Sequence, residues 1–315
     1  MSVNRPTDTI FQEPWWLDAV APGLWSAHEL HDGGELKAWM PLVDKPRPMG
    51  IKHFGMPHLT QTLGPWITPV QGAPFRRIGR IHDYTSDLIA SMPSFDYFSQ
   101  NAHYTLEDVL PFHWAGFESQ VRYTYVLDAL NDVDQLWEGL SARTRRAIRK
   151  AEKKVRVRQL DDFDTFVRLY TSTFSRQDLN IPVDEQTLRR VYDAGLANKA
   201  VRVLVAEDVD GVAHGAVFLL YDHRTTYYLM GGSDPKFRDS QSLSLLLWTA
   251  IKFASEVSER FDFEGSMIPS IESFFRNFGA QRRLYYSLSK MSNRFALAWS
   301  ARSMLKRIVS SSVNR

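Results

Sequence analysis

The sequence predicts an α/β (α+β) fold in two modules, and three observations carry that prediction. Short alternating stretches bounded by Gly and Pro read as strands. Longer stretches with an apolar period of about 3.6 residues read as helices, and the two kinds are interleaved along the chain. The 315 residues exceed one ordinary domain, and the 44% hydrophobic and 13% aromatic content supplies core material for two.

In chain order, Pro14 opens a helix over 14–20, and the alternating stretches 24–30 and 36–43 pair as a hairpin across Asp32, Gly33 and Gly34. Residues 46–74, including Leu63-Gly64-Pro65-Trp66, are dense in Pro and Gly and read as ordered loop. A helix over 75–92, a strand over 95–102, a short helix over 106–116 and a strong strand over 121–127 complete the first module. From residue 132 the helices lengthen: 133–154, 163–176 and 185–198, with a strand at 155–160. Strands 201–207 and 215–221 pair around Asp210-Gly211, strand 225–230 follows, and helix 241–257 feeds strand 260–264. A short helix at 271–277, a strand near 284–288 and a final helix from Asn293 close the chain. The sheets are therefore expected to be mixed and largely antiparallel, flanked by helices. The domains expected are 1–118, 119–290, and a basic amphipathic helix over 291–315.

Lys+Arg and Asp+Glu nearly cancel at a net charge of +2, so any polyanion surface must be local. The absence of Cys excludes disulfides, a thiolate nucleophile and thiolate zinc sites, and fits a cytoplasmic protein. Residues 1–12 lack a signal-peptide core, and no apolar run reaches the ~20 residues of a membrane-spanning helix. His28 and His31 fall on opposite faces of a strand, and no metal site is expected. No Gly-x-Ser-x-Gly elbow, Walker loop or Gly-x-Gly-x-x-Gly is present, which disfavours covalent nucleophilic and nucleotide-hydrolysing chemistry.

Three features carry chemistry. First, Arg143, Arg145, Arg146, Arg149, Lys150, Lys153 and Lys154 crowd one amphipathic helix with only Glu152 to oppose them. Such a face is either a solvated surface or a platform for a phosphate-bearing ligand, with Arg143, Arg146 and Lys150 as its binding residues. Second, Tyr228 ends a strand in Gly231 and Gly232, and Arg238, Ser240 and Gln241 lead into a helix whose N-terminal N–H groups suit a phosphate or carbonyl oxygen. The plainer reading is a Gly-Gly turn with an N-cap. Third, alternation in Phe261-Asp262-Phe263-Glu264 puts both carboxylates on one strand face, either as base and orienting group or as ion-pair partners of nearby arginines. Arg276 is the polar exception in the helix stopped by Gly279. The last helix sets Phe295, Leu297 and Trp299 among Arg294, Arg302, Lys306 and Arg307; such helices usually pack on the protein body, with peripheral membrane contact as the alternative.

The segment 140–151 together with 261–279 resembles the FemABX-like branch of the GNAT superfamily, which includes peptidoglycan-bridge aminoacyltransferases and their acetyltransferase relatives. The resemblance implies two tandem GNAT-like domains with the acceptor in a cleft between them. It aligns Arg276 before Phe278-Gly279 with the family's cation near the transferred acyl group, Tyr228 with its aromatic strand and Asp262 with its acidic strand. The chain lacks the helical-hairpin insertion of tRNA-using members and the Gln/Arg-x-x-Gly-x-Gly/Ala loop of ordinary GNATs. The function implied is transfer of an acyl or aminoacyl group from acyl-CoA or aminoacyl-tRNA, as co-substrate and not as a tightly bound cofactor. The acceptor implied is an amine on a small polar or lipid-linked, cell-envelope-type molecule. Asp262 or Glu264 would deprotonate the amine, and Arg276 with helix N–H groups would stabilise the oxyanion. The rival expectation is a non-catalytic GNAT-fold protein holding nucleic acid, such as tRNA, or anionic lipid on its basic helix.

Overall fold

The computed structural model describes residues 5–160, 162–175, 183–293 and 295–296. Helix α1 (Pro14–Val20) is followed by strands β1 (Trp25–Asp32), β2 (Glu35–Val43), β3 (His53–Phe54) and β4 (Trp66–Ile67), helix α2 (Pro74–Ala90), β5 (Tyr97–Asn101), α3 (Leu110–Trp114) and β6 (Glu118–Leu127). The chain continues through α4 (Val133–Gly139), α5 (Ala142–Ala151), β7 (Arg156–Gln159), α6 (Phe163–Ser175) and α7 (Glu185–Ala197). It ends through β8 (Val201–Glu207), β9 (Ala213–Tyr221), β10 (Thr225–Ser233), α8 (Ser242–Val257), β11 (Arg260–Asp262), α9 (Pro269–Arg276) and β12 (Gln281–Met291). The described residues form two compact units: those within 1–12, 21–121 and 285–315 make the first, and those within 13–20 and 122–284 the second. The expected helix from Asn293 falls almost wholly outside the described residues.

In the first unit, Gly33 and Gly34 sit at φ 61° and 82° between the paired Asp32 and Glu35, the two-residue turn that only residues tolerant of positive φ build readily. β4 pairs with β2, and separately β5 lies between parallel β3 and antiparallel β12. Ala38, Met40 and Leu42, alternate residues of β2, meet Leu88, Phe98, Phe112 and Phe117 in the core.

The second unit orders its strands β6-β11-β10-β9-β8-β7, antiparallel except for the parallel pair β10 and β11. Parallel neighbours need a crossover, and α8 supplies it. Leu246, Leu247, Ala250, Ile251 and Ala254 of α8 are fully buried against the sheet.

The single helix expected over 133–154 is two helices. Asp132 caps the first through Oδ1 on the Gln135 N–H (2.8 Å), and Ser141 caps the second through Oγ on the Thr144 N–H (3.2 Å). Leu140 between them is extended and buried, and the Arg145 guanidinium donates to the carbonyls of Trp137, Glu138 and Leu140 at 3.3, 2.8 and 2.9 Å. The strand expected over 260–264 stops at Asp262, because Glu264 and Gly265 turn to φ 58° and 61°. No helix among the described residues is long and apolar enough to cross a membrane.

Candidate active site

A cavity of about 730 Å³ in the second unit opens where the parallel pair ends. β10 and β11 run in register from Thr225–Arg260 to Tyr227–Asp262; β11 then stops while β10 continues to Ser233. Beyond that point β10 has no strand partner on this side among the described residues, and Tyr228 and Leu229 line the gap. Leu229 is also the extra residue of a bulge: Tyr228 opposes Leu219 and Met230 opposes Phe218, so Leu229 has no place in the register with β9. Crevices past the carboxyl ends of parallel strands are the usual ligand sites of such sheets.

Three further walls close the cavity. The first turn of α8 contributes Gln241, Leu243 and Ser244, preceded by Arg238 from the 3-10 helix Pro235–Ser240. Helix α5 contributes Arg143, Thr144 and Ala147; helix α9 contributes Ser270, Ser273, Phe274 and Asn277. The Asn277 carbonyl accepts the Ser141 N–H at 2.9 Å, which pins the start of α5 to the end of α9. Gly279 follows at φ 80°, and an ideal Cβ there would lie 2.7 Å from the Gly139 carbonyl oxygen, so only glycine lets α9 and α4 meet so closely.

The fourth wall is Phe263-Glu264-Gly265-Ser266. Asp262 lies wholly out of solvent; its Oδ1 accepts from the Thr124 hydroxyl at 2.5 Å and from the Glu264 N–H at 2.7 Å. That second bond holds the left-handed turn at Glu264. The Glu264 carboxyl lies against the cavity with Oε1 buried and without a hydrogen-bond partner among the described residues. Burial, reinforced by the Asp262 charge, holds this carboxyl well above the usual carboxylate range. Burial also pushes the Tyr228 phenol up, with smaller contributions from Tyr170 and Glu264, so the phenol stays protonated. Its ring stands edge-on to Phe275 at 5.9 Å.

Of the residues singled out in the sequence, Tyr228, Arg238, Gln241, Arg143 and Glu264 meet in this cavity. Asp262 stands behind Glu264. Ser240 is buried in the turn, its Oγ accepting the Ser242 N–H at 3.3 Å. Arg146 and Lys150 point to solvent. Arg276 does not line the cavity: its side chain is 63% exposed and pairs with Glu272 at 3.3 Å, and Glu272 also accepts from the Tyr125 hydroxyl at 2.5 Å. Ser270, Ser273 and Asn277, missed in the sequence, fall at i, i+3 and i+7, a polar stripe that helical periodicity can reveal. Leu229 carries no such signal, since the bulge depends on how β9 pairs.

Residues 140–266 match the sequence model of the acetyltransferase (GNAT) domain. The whole chain resembles the crystal structure of FemX, at TM-score 0.68 and 15% identity over 92% of this chain and 94% of that one. It also resembles the C-terminal domain of a lysylphosphatidylglycerol synthetase from Agrobacterium fabrum, at TM-score 0.54 and 13% identity over 89% of each chain. A tandem GNAT protein from the clavulanic acid biosynthesis pathway aligns at TM-score 0.50 and 10% identity over 88% of this chain and 94% of that one. Comparison with curated protein sequences gives no match. Residues 140–266 are thus similar to the GNAT domain, and the chain shares its fold, mixed sheets flanked by helices, with FemX and with a tandem GNAT protein.

Proposed function

We propose that the chain is an N-acyltransferase that moves an acyl or aminoacyl group from a phosphate-bearing carrier to an amine. The observation that carries this reading is Glu264: a buried carboxyl with an unpartnered oxygen, facing a cavity that also holds a helix N-terminus and two arginines. In the proposed reaction the neutral amine attacks the donor carbonyl carbon, forming the N–C bond, and its proton passes to the Glu264 carboxylate. The tetrahedral intermediate then collapses. The C–S bond of a coenzyme A thioester, or the C–O ester bond of an aminoacyl-tRNA, breaks, and the leaving sulfur or oxygen takes a proton. Main-chain groups at the Leu229 bulge would meet the oxyanion, while Arg143, Arg238 and the α8 terminus would hold the carrier's phosphates. Arg276 is assigned the support of α9 through Glu272, and Asp262 the placing and tuning of Glu264.

The basic helix gives less support to the rival reading of a nucleic-acid platform. Arg145 is committed to the α4 carbonyls, Arg149 lies 5.5 Å from the Trp137 ring, and Arg143 turns into the cavity. The direct experiment is a donor screen by mass spectrometry, pairing short acyl-CoAs and charged tRNAs with lysine-, alanine- and aminolipid-type amines. One donor and amine should give a product of the expected mass, lost in Glu264→Gln. Full turnover in Glu264→Gln overturns the mechanism; salt-sensitive nucleic-acid binding with no turnover for any donor favours the rival.

A further inference from the structure

The first unit carries a surface that neither its core nor acyl transfer uses. Helix α2 begins Pro74-Phe75-Arg76-Arg77-Ile78-Gly79-Arg80, and its buried residues, Thr85 and Leu88, lie in its later turns. Phe75 is 71% exposed and Ile78 47%; on α3, Trp114 is 62% exposed and Leu110 46%. The four are contiguous. Phe75 and Ile78 are three apart on one helix, Leu110 and Trp114 four apart on the other, and Ile78 and Leu110 line one cavity of about 540 Å³. Trp114 stands edge-on to His82 at 5.1 Å, and His82 is one turn from Ile78.

Arg76, Arg77 and Arg80 surround this patch. The first turn of α2 holds no acidic residue. Cations at the positive end of a helix dipole oppose the helix they sit on, so intrahelical stability does not account for them. Arg76 lies 5.5 Å from the Phe75 ring and Arg80 5.7 Å from the Tyr84 ring, and none of the three forms an ion pair among the described residues. The cavity that Arg77, Ile78 and Leu110 line also carries Asp8, Glu107 and Asp108, and Asp108 is taken by His82 at 2.6 Å. Exposed Phe, Trp, Leu and Ile beside unpaired arginines are the composition that inserts at the boundary of lipid headgroups and acyl chains.

We propose that the α2–α3 face docks on an anionic bilayer surface, the four apolar side chains entering the interface and the three arginines meeting lipid phosphates. Charge complementarity selects this occupant over a second copy of the chain, because two copies meeting here would bring two sets of three arginines together. This docking is independent of the reaction proposed above and stands or falls without it.

The test is sedimentation of the full chain with vesicles of phosphatidylcholine, alone or mixed with an equal part of phosphatidylglycerol. The wild type should bind the mixed vesicles and not the neutral ones, less so as salt rises. Arg76→Gln with Arg77→Gln and Arg80→Gln should lower partitioning on the order of a hundredfold. Phe75→Ser with Trp114→Ser should lower it about tenfold or more. Neither variant should lower the melting temperature, since these side chains are largely exposed and the arginines oppose the α2 dipole. Neutralising the basic C-terminal stretch (Arg302→Gln, Lys306→Gln, Arg307→Gln) should leave binding intact. Absence of vesicle binding, binding that survives both α2–α3 variants, or loss only in the C-terminal variant overturns the proposal. So does sedimentation velocity showing self-association that the same substitutions abolish while vesicle binding persists.

Discussion

Replacing Gly265 by Ala tests the most constrained point of the candidate site. An ideal Cβ at this position would lie 2.2 Å from the Tyr123 carbonyl oxygen and 2.5 Å from Thr124 Cα, both backbone atoms of β6, at a φ of +61°. Two costs combine. A left-handed φ disfavours Ala by about 1–2 kcal/mol, partly offset by the 0.4–1 kcal/mol that Ala gains through the unfolded chain. Gly211, in the same unit at φ +77° with nothing within 4 Å of an ideal Cβ, isolates that first cost. Gly211→Ala should therefore destabilise by roughly 1 kcal/mol or less. Gly265→Ala must also push strand backbone aside, adding about 1–3 kcal/mol. The assay is the urea midpoint of both variants beside wild type. Because Glu264 shares the turn, Gly265→Ala should also depress transfer activity in the fraction that remains folded, and Gly211→Ala should not. If the two variants unfold at the same midpoint, the close approach of Gly265 to β6 is wrong, and with it the account of how Glu264 is held.

Further outcomes follow from the same geometry. Glu264→Gln should cut kcat/KM by about 10²–10⁴ while keeping the fold. It should also raise the melting temperature, more at pH 9 than at pH 5. With a folded pKa above its unfolded value, Glu264 is protonated and harmless at low pH, and its burial weakens the fold as pH rises toward the raised pKa. By the same sign the wild-type rate should fall as pH drops through that raised value, and Asp262→Asn, which removes the neighbouring charge, should move this acid limb to lower pH in a pH–kcat/KM profile. Arg238→Ala or Arg143→Ala should raise the donor KM about 10- to 100-fold, and exposed Arg146→Ala should change it little. Gly231→Ala should lower both stability and activity: its ideal Cβ would sit 2.5 Å from the Tyr228 hydroxyl, 3.0 Å from Cε2 of that ring and 3.1 Å from the Ala216 carbonyl oxygen, so a ring that lines the cavity must shift. Ser141→Ala should cost about 1 kcal/mol by uncapping α5, read from the denaturation midpoint.

Local chemistry made much of the fold legible. The Gly33-Gly34 hairpin, helix α7, the β8–β9 pair and α8 each follow from period and turn residues that no tertiary contact overrides. The break between α4 and α5 was hidden because the apolar period runs straight across it. What interrupts the helix is burial of an extended Leu140, with Arg145 reaching back to the carbonyls that the break exposes. At the site, types of residue were readable and directions were not. Asp262 and Glu264 were visible as two carboxylates, but alternation assumed a strand through both. The left-handed turn at Glu264, which separates a fully buried orienting carboxylate from one facing the cavity, depends on Thr124 and the Glu264 N–H closing on Asp262. Arg276 was readable as a cation near the motif helix, yet the partner that turns it away, Glu272, is itself oriented by Tyr125 on β6.

Gln241 and Glu264 share a conformation that suggests how this site is maintained. Both are non-glycine residues at φ near +60° and both line the cavity; Gln241 lies inside the crossover, at the start of α8, and Glu264 just past the end of β11. Each left-handed residue costs on the order of 1–2 kcal/mol, and such strain persists only where its surroundings over-determine it. At Glu264 the surroundings are the Asp262 clasp and Gly265 wedged on β6. At Gln241 they are the Arg238 carbonyl, which accepts the Gln241 N–H at 3.3 Å, and α8, whose first turn starts immediately beyond. An unstrained strand-to-helix turn at 241 would redirect the α8 terminus. A regular strand through 264 would bring the carboxyl back toward the Thr124–Asp262 pair. The two distortions therefore do one thing together: they aim a helix terminus and a protonatable carboxyl into the same gap that the bulge at Leu229 opens. Straightening either turn into regular backbone should stabilise the unit and weaken acyl transfer, whereas relieving the strain with the turn kept should not weaken it. Gln241→Gly, which removes the φ penalty without closing the cavity, should raise the free energy of unfolding by up to about 1 kcal/mol and leave turnover near wild type. A large loss of turnover there would mean that the Gln241 side chain itself, and not the turn, serves the reaction.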